Sequence, residues 1–181
     1  MKVKGRNIKV ENVVASADLH AEIPLEKVAS TLPNTEYNPE QFPGLVLRLK
    51  KMGITALVFS SGKIVCTGAR NERGVREGVR GIIRELRKVK IPLKKKPDIK
   101  IQNIVASGNL NMKLNLNSLA FKLENAEYEP EQFPGLVYHL PNSNITFLLF
   151  SAGKIVCTGA RSEREIKKAV ETLIRTLKKV K

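Results

Sequence analysis

The sequence predicts an α+β protein made of two copies of one unit, and two observations carry this prediction. Shifting the 181-residue chain by 91 positions aligns residues 12–90 with 103–181 without a gap, and about 43 of the 79 aligned pairs are identical. Each copy combines short β-branched runs typical of strands with two segments that carry apolar residues at helical spacing. The period is too long for a solenoid repeat, so we predict a pseudo-two-fold protein with residues 1–90 as the first repeat and 91–181 as the second.

Each copy is predicted to contain a strand, a short helix, an antiparallel meander of three strands and a long helix, in that order. VENVVASADL and IQNIVASGNL are the opening strands. The short helices are PLEKVASTL, with Pro24 at its first helical position, and LNSLAFKL. In the first copy the meander strands are GLVLRLK, ITALVFS and KIVCTGA. Gly62 and Gly153 close the turns SSG and SAG, which predicts three-residue hairpin loops with these glycines in the left-handed region.

The long helices are predicted over 71–88 and 162–180. Each carries one apolar stripe, formed by Val75, Val79, Ile82, Ile83 and Leu86 in the first copy and by Ile166, Val170, Leu173, Ile174 and Leu177 in the second. Asn71 is the predicted N-cap of the first helix, and Ser162 with Glu165 predicts a capping box at the start of the second. Residues 91–97, IPLKKKP, connect the copies.

Composition indicates a folded protein with a polyanionic partner. The formal charge is +15 at pH 7 and 42% of residues are hydrophobic, with both charge signs interspersed. Both halves are basic, with 17 basic and 9 acidic residues in 1–90 and 15 and 8 in 91–181. No apolar run is long enough to span a bilayer and the N-terminus lacks an apolar signal-peptide stretch, so we expect no membrane partner and a cytoplasmic, intracellular location.

Residues for catalysis or metal binding are sparse. Cys66 and Cys157 lie far apart without histidine or cysteine at metal-ligand spacing, which predicts two buried, reduced thiols. His20 and His139 are each alone in their segment. The SSGK and SAGK stretches lack the trailing Ser or Thr of a phosphate-binding loop. We therefore expect no enzyme activity, no cofactor and no metal.

Strand parity predicts that both faces of the sheet are largely apolar. In KIVCTGA, Ile64, Cys66 and Gly68 point one way while Lys63, Val65 and Thr67 point the other. The two helices of a copy can cover only one face, so the other face needs another cover and suits a binding surface. The alternative is a sandwich in which the two copies pack these faces together and bury Leu57, Phe59 and their equivalents as ordinary core.

Polar and aromatic residues on the second face favour the binding surface. Asn12, Thr67, Asn103 and Thr158 fall at matching places and would need partners inside a sandwich core. The phenylalanines Phe42 and Phe59 of the first copy recur as Phe133 and Phe150 of the second. Phe42 and Phe133 each lie beside a proline just before a predicted strand, and Phe59 and Phe150 each lie just before a hairpin turn. These positions suit rings that protrude from the surface.

At these motifs, which include EYNPEQFPGLV and TALVFSSGKIVCTGAR, the sequence resembles the TATA-binding protein family in its compact archaeal form. The resemblance covers nearly the whole chain. It implies that the two halves share one curved antiparallel sheet, a saddle with helices on the convex side and DNA under the concave side. It also implies a general transcription initiation factor that binds the TATA element in the minor groove, wedges phenylalanines into base steps and bends the duplex.

The resemblance implies three sets of DNA-contacting residues. The intercalating rings would be Phe42, Phe59, Phe133 and Phe150. Minor-groove contacts would come from Asn12, Val14, Leu57, Val65, Thr67, Asn103, Val105, Leu148, Val156 and Thr158. Phosphates would be contacted by Arg48, Lys63, Arg70, Lys154 and Arg161. His139 stands where the first copy has Arg48, which predicts that the two halves grip the DNA unequally.

Partners other than DNA are also implied. Glu129 and Glu131, in the second-copy loop YEPEQF, are candidate contacts for transcription factor B, and RNA polymerase would join the preinitiation complex. A homodimer through the apolar face would cover that face when DNA is absent. Two other classes stay open, an RNA or single-strand binder that stacks bases on aromatic residues and a scaffold that binds an amphipathic protein partner.

Overall fold

A computed structural model, which describes residues 1–180, confirms the predicted order of elements in each copy. The strands of the first half are β1 (Lys2–Val3), β2 (Arg6–Asp18), β3 (Thr35–Glu36), β4 (Leu45–Leu49), β5 (Ile54–Val58) and β6 (Lys63–Ala69). Its helices are α1 (Leu25–Thr31) and α2 (Glu72–Lys88), with a 3₁₀ turn at Lys50–Met52. The second half contains the strands β7 (Asp98–Asn109), β8 (Ala126–Glu127), β9 (Leu136–His139), β10 (Thr146–Leu149) and β11 (Lys154–Ala160). Its helices are α3 (Leu116–Lys122) and α4 (Glu163–Lys179).

The eleven strands found within residues 1–180 form a single open antiparallel sheet. Their order is β3-β4-β5-β6-β2-β7-β11-β10-β9-β8, and β1 pairs with β2 beside this path. The predicted α+β fold, with two repeats contributing to one antiparallel sheet, is therefore confirmed. The two-residue strands β1, β3 and β8 are additional to the predicted elements, because runs this short carry no periodicity.

The chain divides into two compact units that differ slightly from the sequence halves. The first unit comprises residues 12–102, and the second comprises residues 1–11 together with the chain from Asn103 onwards. In the second unit Val3 and Ile8 are buried, and the Arg6 Nε donates to the Leu110 carbonyl at 2.8 Å. The N-terminal hairpin formed by β1 and β2 thus completes the second unit.

Each unit buries one face of its strands beneath its helices. In the first unit Ala15, Ala56, Val58, Ile64 and Cys66 are buried, as parity predicts, and α2 packs against β6 and β4. The predicted α2 stripe is buried except for Ile83, which is half-buried, and the whole α4 stripe is buried. Removing these apolar side chains from water stabilises the packing of the helices on the strands in each unit.

The predicted N-caps Asn71 and Ser162 are confirmed, whereas two other details of the helix starts differ from the prediction. Asn71 accepts from the Gly74 N–H at 2.7 Å, and Ser162 accepts from the Glu165 N–H at 3.2 Å. The reciprocal half of the predicted capping box is wrong in its donor, because the Glu165 carboxylate accepts from the Arg161 N–H at 2.9 Å and not from that of Ser162. The placement of Pro24 inside α1 is wrong. Pro24 is the N-cap, with ψ of 89°, and its carbonyl accepts from the Val28 N–H.

The predicted hairpin glycines are confirmed, with φ of 89° at Gly62 and 93° at Gly153. A Cβ at either position would overlap a backbone carbonyl oxygen, that of Ala21 or Met112. Each loop also anchors a neighbouring segment through its carbonyl, because Leu19 N–H donates to Gly62 O and Leu110 N–H donates to Gly153 O.

We expect Gly153→Ala to lower the free energy of unfolding by about 2–4 kcal/mol. The alanine Cβ would be strained at this positive φ and would also overlap the Met112 carbonyl oxygen. Gly53→Ala is the matched control, because Gly53 also has positive φ (64°) but open space where its Cβ would be. The control should cost about 1 kcal/mol. Denaturant melts of the two variants check this, and equal losses would contradict it.

Candidate nucleic-acid interface

Each unit has a second strand face that its helices do not cover, here called the open face. In the first unit cross-strand pairing places Ser16, Val65, Leu57 and Val46 in one row across β2, β6, β5 and β4. In the second unit the equivalent row is Ser107, Val156, Leu148 and Val137. These side chains are half-buried, in contrast to the buried residues that alternate with them.

The half-exposed state of these residues decides between the two interpretations of the apolar face. A sandwich core would bury Leu57, Phe59 and Phe150, yet each retains solvent exposure. The sandwich alternative is therefore wrong. The structure instead presents in each unit a half-exposed row of valine and leucine, which is typical of a binding site.

A second row on each open face is polar. Thr67 pairs with Thr55 and Thr55 pairs with Arg48 in the first unit. In the second unit Thr158 pairs with Thr146, which pairs with His139. Thr55 and Thr146 are not among the predicted site residues, although the parity of their strands places them on the same face as Leu57 and Leu148.

The predicted Asn and Thr residues meet in the structure, one pair in each unit. Asn12 Nδ2 donates to Thr67 Oγ1 at 2.9 Å, and Asn103 Nδ2 donates to Thr158 Oγ1 at 3.1 Å. Each asparagine Oδ1 accepts a backbone N–H, from Gly68 at 2.8 Å and from Gly159 at 2.7 Å. An amide nitrogen has two N–H groups, so the second one of each pair is available to an acceptor on a ligand.

Two bulges make this arrangement possible. The pairing register shifts between Cys66 and Ala69 in β6 and between Cys157 and Ala160 in β11. Gly68 and Gly159 lie inside these shifts with φ of 107° and 98°, a region that favours glycine. The bulged backbone turns the glycine N–H toward the asparagine and fixes the orientation of its amide.

The four phenylalanines form two equivalent ring pairs. The centroids of Phe42 and Phe59 lie 5.9 Å apart at an interplanar angle of 68°, and those of Phe133 and Phe150 lie 6.0 Å apart at 70°. Both are edge-to-face contacts. The outer rings protrude, since Phe42 is 42% exposed and Phe133 is 40% exposed.

Glycines make room for these rings. A Cβ on Gly44 would lie 2.7 Å from Cε1 of Phe42 and 3.1 Å from Cε1 of Phe59. Gly135 stands in the same relation to Phe133 and Phe150, at 2.8 and 3.0 Å. The FPG sequence in each copy thus lets both rings lie across the backbone, which gives the repeated PEQFPGLV motif a physical reason.

Most of the predicted phosphate-contacting side chains are exposed. Lys63, Arg70, Lys154 and Arg161 are exposed, and within residues 1–180 none of them takes part in an ion pair. Arg48 differs because its Nη1 lies 2.9 Å from Oε1 of Glu36. Such an exposed pair contributes at most about 1 kcal/mol, so the guanidinium can exchange partners readily.

The position equivalent to Arg48 in the second unit is His139, which has a different partner. His139 donates to or accepts from Thr146 Oγ1 through its Nδ1, at 3.0 Å. Glu129 and Glu131, the candidate partner contacts, are exposed in the turn that leads to Phe133, where the Glu129 carbonyl accepts from the Phe133 N–H at 2.9 Å. Two exposed acidic residues thus precede the protruding ring of the second unit in the same turn.

The two cysteines belong to the core. Both are free thiols and each is only 1% exposed, as the sequence predicts. Burial raises the pKa of the Cys66 thiol to about 11 and that of Cys157 to about 12, so both stay protonated at neutral pH.

Two kinds of feature are absent from residues 1–180. No cluster of three or more His, Cys, Asp or Glu side chains that could hold a metal ion occurs there. None of the helices described is both long and apolar enough to cross a membrane.

Comparisons with known proteins agree with the geometry. The chain is 48% identical over 180 residues to the TATA-box-binding protein of Pyrobaculum calidifontis, covering 99% of this chain and 90% of that protein. It is also 48% identical to the TATA-box-binding protein of Archaeoglobus fulgidus, over 94% of each chain. The solved structure of Methanococcus jannaschii TBP superposes with a TM-score of 0.89 at 45% identity, covering 96% of this chain and 99% of that one.

A family model matches both copies, at residues 7–89 and 98–180. Two matches of similar length agree with the duplication, the repeated ring pairs and the repeated Asn and Thr pairs. The chain therefore belongs to the family described as transcription factor TFIID or TATA-binding protein.

Proposed function

We propose that the protein is a general transcription initiation factor that binds the TATA element of a promoter through the minor groove, inserts its phenylalanine pairs and bends the duplex. The observation that supports this most directly is the open face of each unit, which combines a row of valine and leucine with one oriented asparagine amide. The family is one of DNA-binding transcription factors, which is not an enzyme family.

The chemistry of this face suits A·T pairs. In the minor groove an A·T pair offers only the acceptors adenine N3 and thymine O2, whereas a G·C pair adds the guanine amino donor. The free N–H of Asn12 and Asn103, with the hydroxyls of Thr67 and Thr158, would donate to these acceptors near the centre of the element. The apolar residues of the face would press on the groove floor and leave a guanine amine without a partner. They are Val14, Leu57, Val65, Val105, Leu148 and Val156.

Insertion of the ring pairs would bend the DNA. Wedging an apolar side chain between base steps unstacks them and kinks the duplex, which exposes more minor groove to the protein. Phe42 and Phe133, the more exposed rings of the two pairs, would enter first, and Phe59 and Phe150 would support them from behind. Deformable TA steps would lower the cost of the kink, so selectivity would come from deformability as well as from contacts.

The positive charges would supply affinity that does not depend on sequence. We expect the log of the association constant to fall linearly with log salt, by about 0.9 for each phosphate contacted. Arg70→Ala should reduce the slope by about 0.9, because one contact is lost. Arg73→Ala is the control, since Arg73 pairs with Glu77 on the surface of α2. Equal slopes for wild type and both variants, measured by titration at several salt concentrations, would remove Arg70 from the interface.

The bound complex would recruit the rest of the machinery. Glu129 and Glu131 are the proposed contacts for transcription factor B, which would bring RNA polymerase into the preinitiation complex. Without DNA, a homodimer would cover the apolar open faces. The factor would act in the cytoplasm, associated with the nucleoid.

A binding and bending assay tests the proposal. Gel shifts and end-to-end energy transfer would compare an A·T-rich duplex carrying TA steps, a G·C-rich duplex of equal length, and the single strands of each. We expect tight binding and bending of the first alone. Equal affinity without a bend would refute the proposed function, and tighter binding to single strands would support the base-stacking alternative instead.

A further inference from the structure

Two serines on the open faces occupy equivalent places but have chemically different partners. Ser16 pairs across the strands with Val65 in the first unit, and Ser107 pairs with Val156 in the second. Both serines therefore lie in the valine and leucine rows that are proposed to press on the minor groove. They are the only hydroxyl groups in those two rows within the described residues.

In the first unit the partner of the serine is an amide. Nε2 of Gln102 donates to Oγ of Ser16 at 2.8 Å. Because the Ser16 oxygen accepts this bond, its own O–H proton remains available for another acceptor. Ser16 can therefore donate to a ligand.

In the second unit the partner is a carboxylate. Oγ of Ser107 donates to Oε1 of Glu11 at 2.6 Å. An ionised carboxylate has no proton to offer, so the hydroxyl proton of Ser107 is held in a short, charge-assisted bond. Towards a ligand, Ser107 then presents only oxygen lone pairs.

From this difference we infer that the protein recognises the two halves of its DNA element differently. The position that contacts Ser16 must be an A·T pair, whereas the position that contacts Ser107 can be a G·C pair. The inference rests on the proposed function. Ser16 would donate to adenine N3 or thymine O2, whereas Ser107 would accept from the guanine amino group, which is the one donor on the minor-groove floor. The same asymmetry orients the protein on an element that is otherwise symmetric, with the second unit over the half that contains G·C.

The duplication supplies closely matched variants for a test. Glu11 and Gln102 are equivalent positions of the two copies, 91 residues apart, and differ only by a carboxylate against an amide of the same shape. Glu11→Gln gives both serines an amide partner. The exchange Glu11→Gln with Gln102→Glu moves the carboxylate to the other unit and leaves the net charge unchanged.

The test measures the orientation of the protein on DNA, which would not change if Glu11 and Gln102 had only a structural role. Phe121→Cys offers a labelling site, because Phe121 is 93% exposed on α3 whereas the native thiols are buried and protonated. Energy transfer from a donor at this site to an acceptor at one DNA end reports which unit covers which half. The probes are a palindromic A·T duplex and derivatives in which one G·C pair is scanned through one half.

The palindrome should give equal populations of the two orientations. With G·C at the position that meets the serine, we expect the labelled protein to favour the orientation with its second unit over that half by about tenfold, the worth of one hydrogen bond. Glu11→Gln should abolish the preference, and the exchange should reverse it.

An unchanged orientation after the exchange, or no preference at any scanned position, would overturn the inference. The bend and affinity on the pure A·T palindrome separate this from the proposed function. If the wild type binds and bends that duplex, the proposed function stands whatever the orientation result. If it does not, the proposed function itself fails. Equal melting temperatures of the variants establish that the fold is intact.

Discussion

Replacing both rings of the second pair, Phe133→Ala with Phe150→Ala, is expected to abolish DNA bending and weaken binding to an A·T element by about 100-fold. Each ring stacked on a base is worth about 1–3 kcal/mol, and two rings are lost. The fold should survive, because Phe133 is 40% exposed and Phe150 is half-buried. The lost edge-to-face contact should lower the free energy of unfolding by about 1 kcal/mol. Energy transfer across the duplex measures the bend, and circular dichroism measures the fold.

Phe121→Ala is the control for this experiment. It removes the same type of ring from the same unit, but from an exposed position on α3. Binding and bending should match the wild type. If the double variant unfolds, the rings are structural core and the proposed wedge is wrong, whereas a folded variant that still bends DNA would assign the bend to other residues.

The change Asn103→Asp should weaken binding to the A·T element by about 10- to 100-fold while leaving the unit folded. One aspartate oxygen can still accept from the Gly159 N–H, and the Thr158 hydroxyl can turn its proton toward the other oxygen, which replaces the amide nitrogen that donates to it in the wild type, so the bulge is preserved. The side chain loses every N–H donor, so it faces the adenine and thymine acceptors with lone pairs and a negative charge. A group left unpaired in this way costs about 1–3 kcal/mol.

Asn117→Asp is the matched control, since it makes the same charge change at an exposed position of α3. Asn12→Asp should reproduce the loss in the first unit. Titration of each variant against the A·T duplex at fixed salt measures the effect. If Asn103→Asp, Asn12→Asp and Asn117→Asp all lower the affinity by the same small factor, the loss is a general effect of the added negative charge and Asn103 has no specific role.

The sequence alone could predict most features that depend on neighbouring residues or on exact repetition. The 91-residue duplication, the hairpin glycines Gly62 and Gly153, and the caps Asn71 and Ser162 are local patterns whose physics acts within a few residues. Strand parity likewise placed Val65 and Leu57 on the face opposite Cys66 and Ala56. The error at Pro24 is of one position, which is the usual uncertainty of a helix boundary.

Only the tertiary structure decided what lies opposite what. The pairing of Asn12 with Thr67, which are 55 residues apart, and the gap that Gly44 leaves for two rings depend on strand register and loop geometry, which no local pattern encodes. Ser16 and Ser107 stand in identical VAS sequences and became different when the fold brought an amide to one and a carboxylate to the other, 86 and 96 residues away. Sequence by itself thus determined the unit, its elements and their faces. The structure decided the hydrogen-bonding character of each face, because a hydroxyl's role as donor or acceptor is set by the partner that folding supplies.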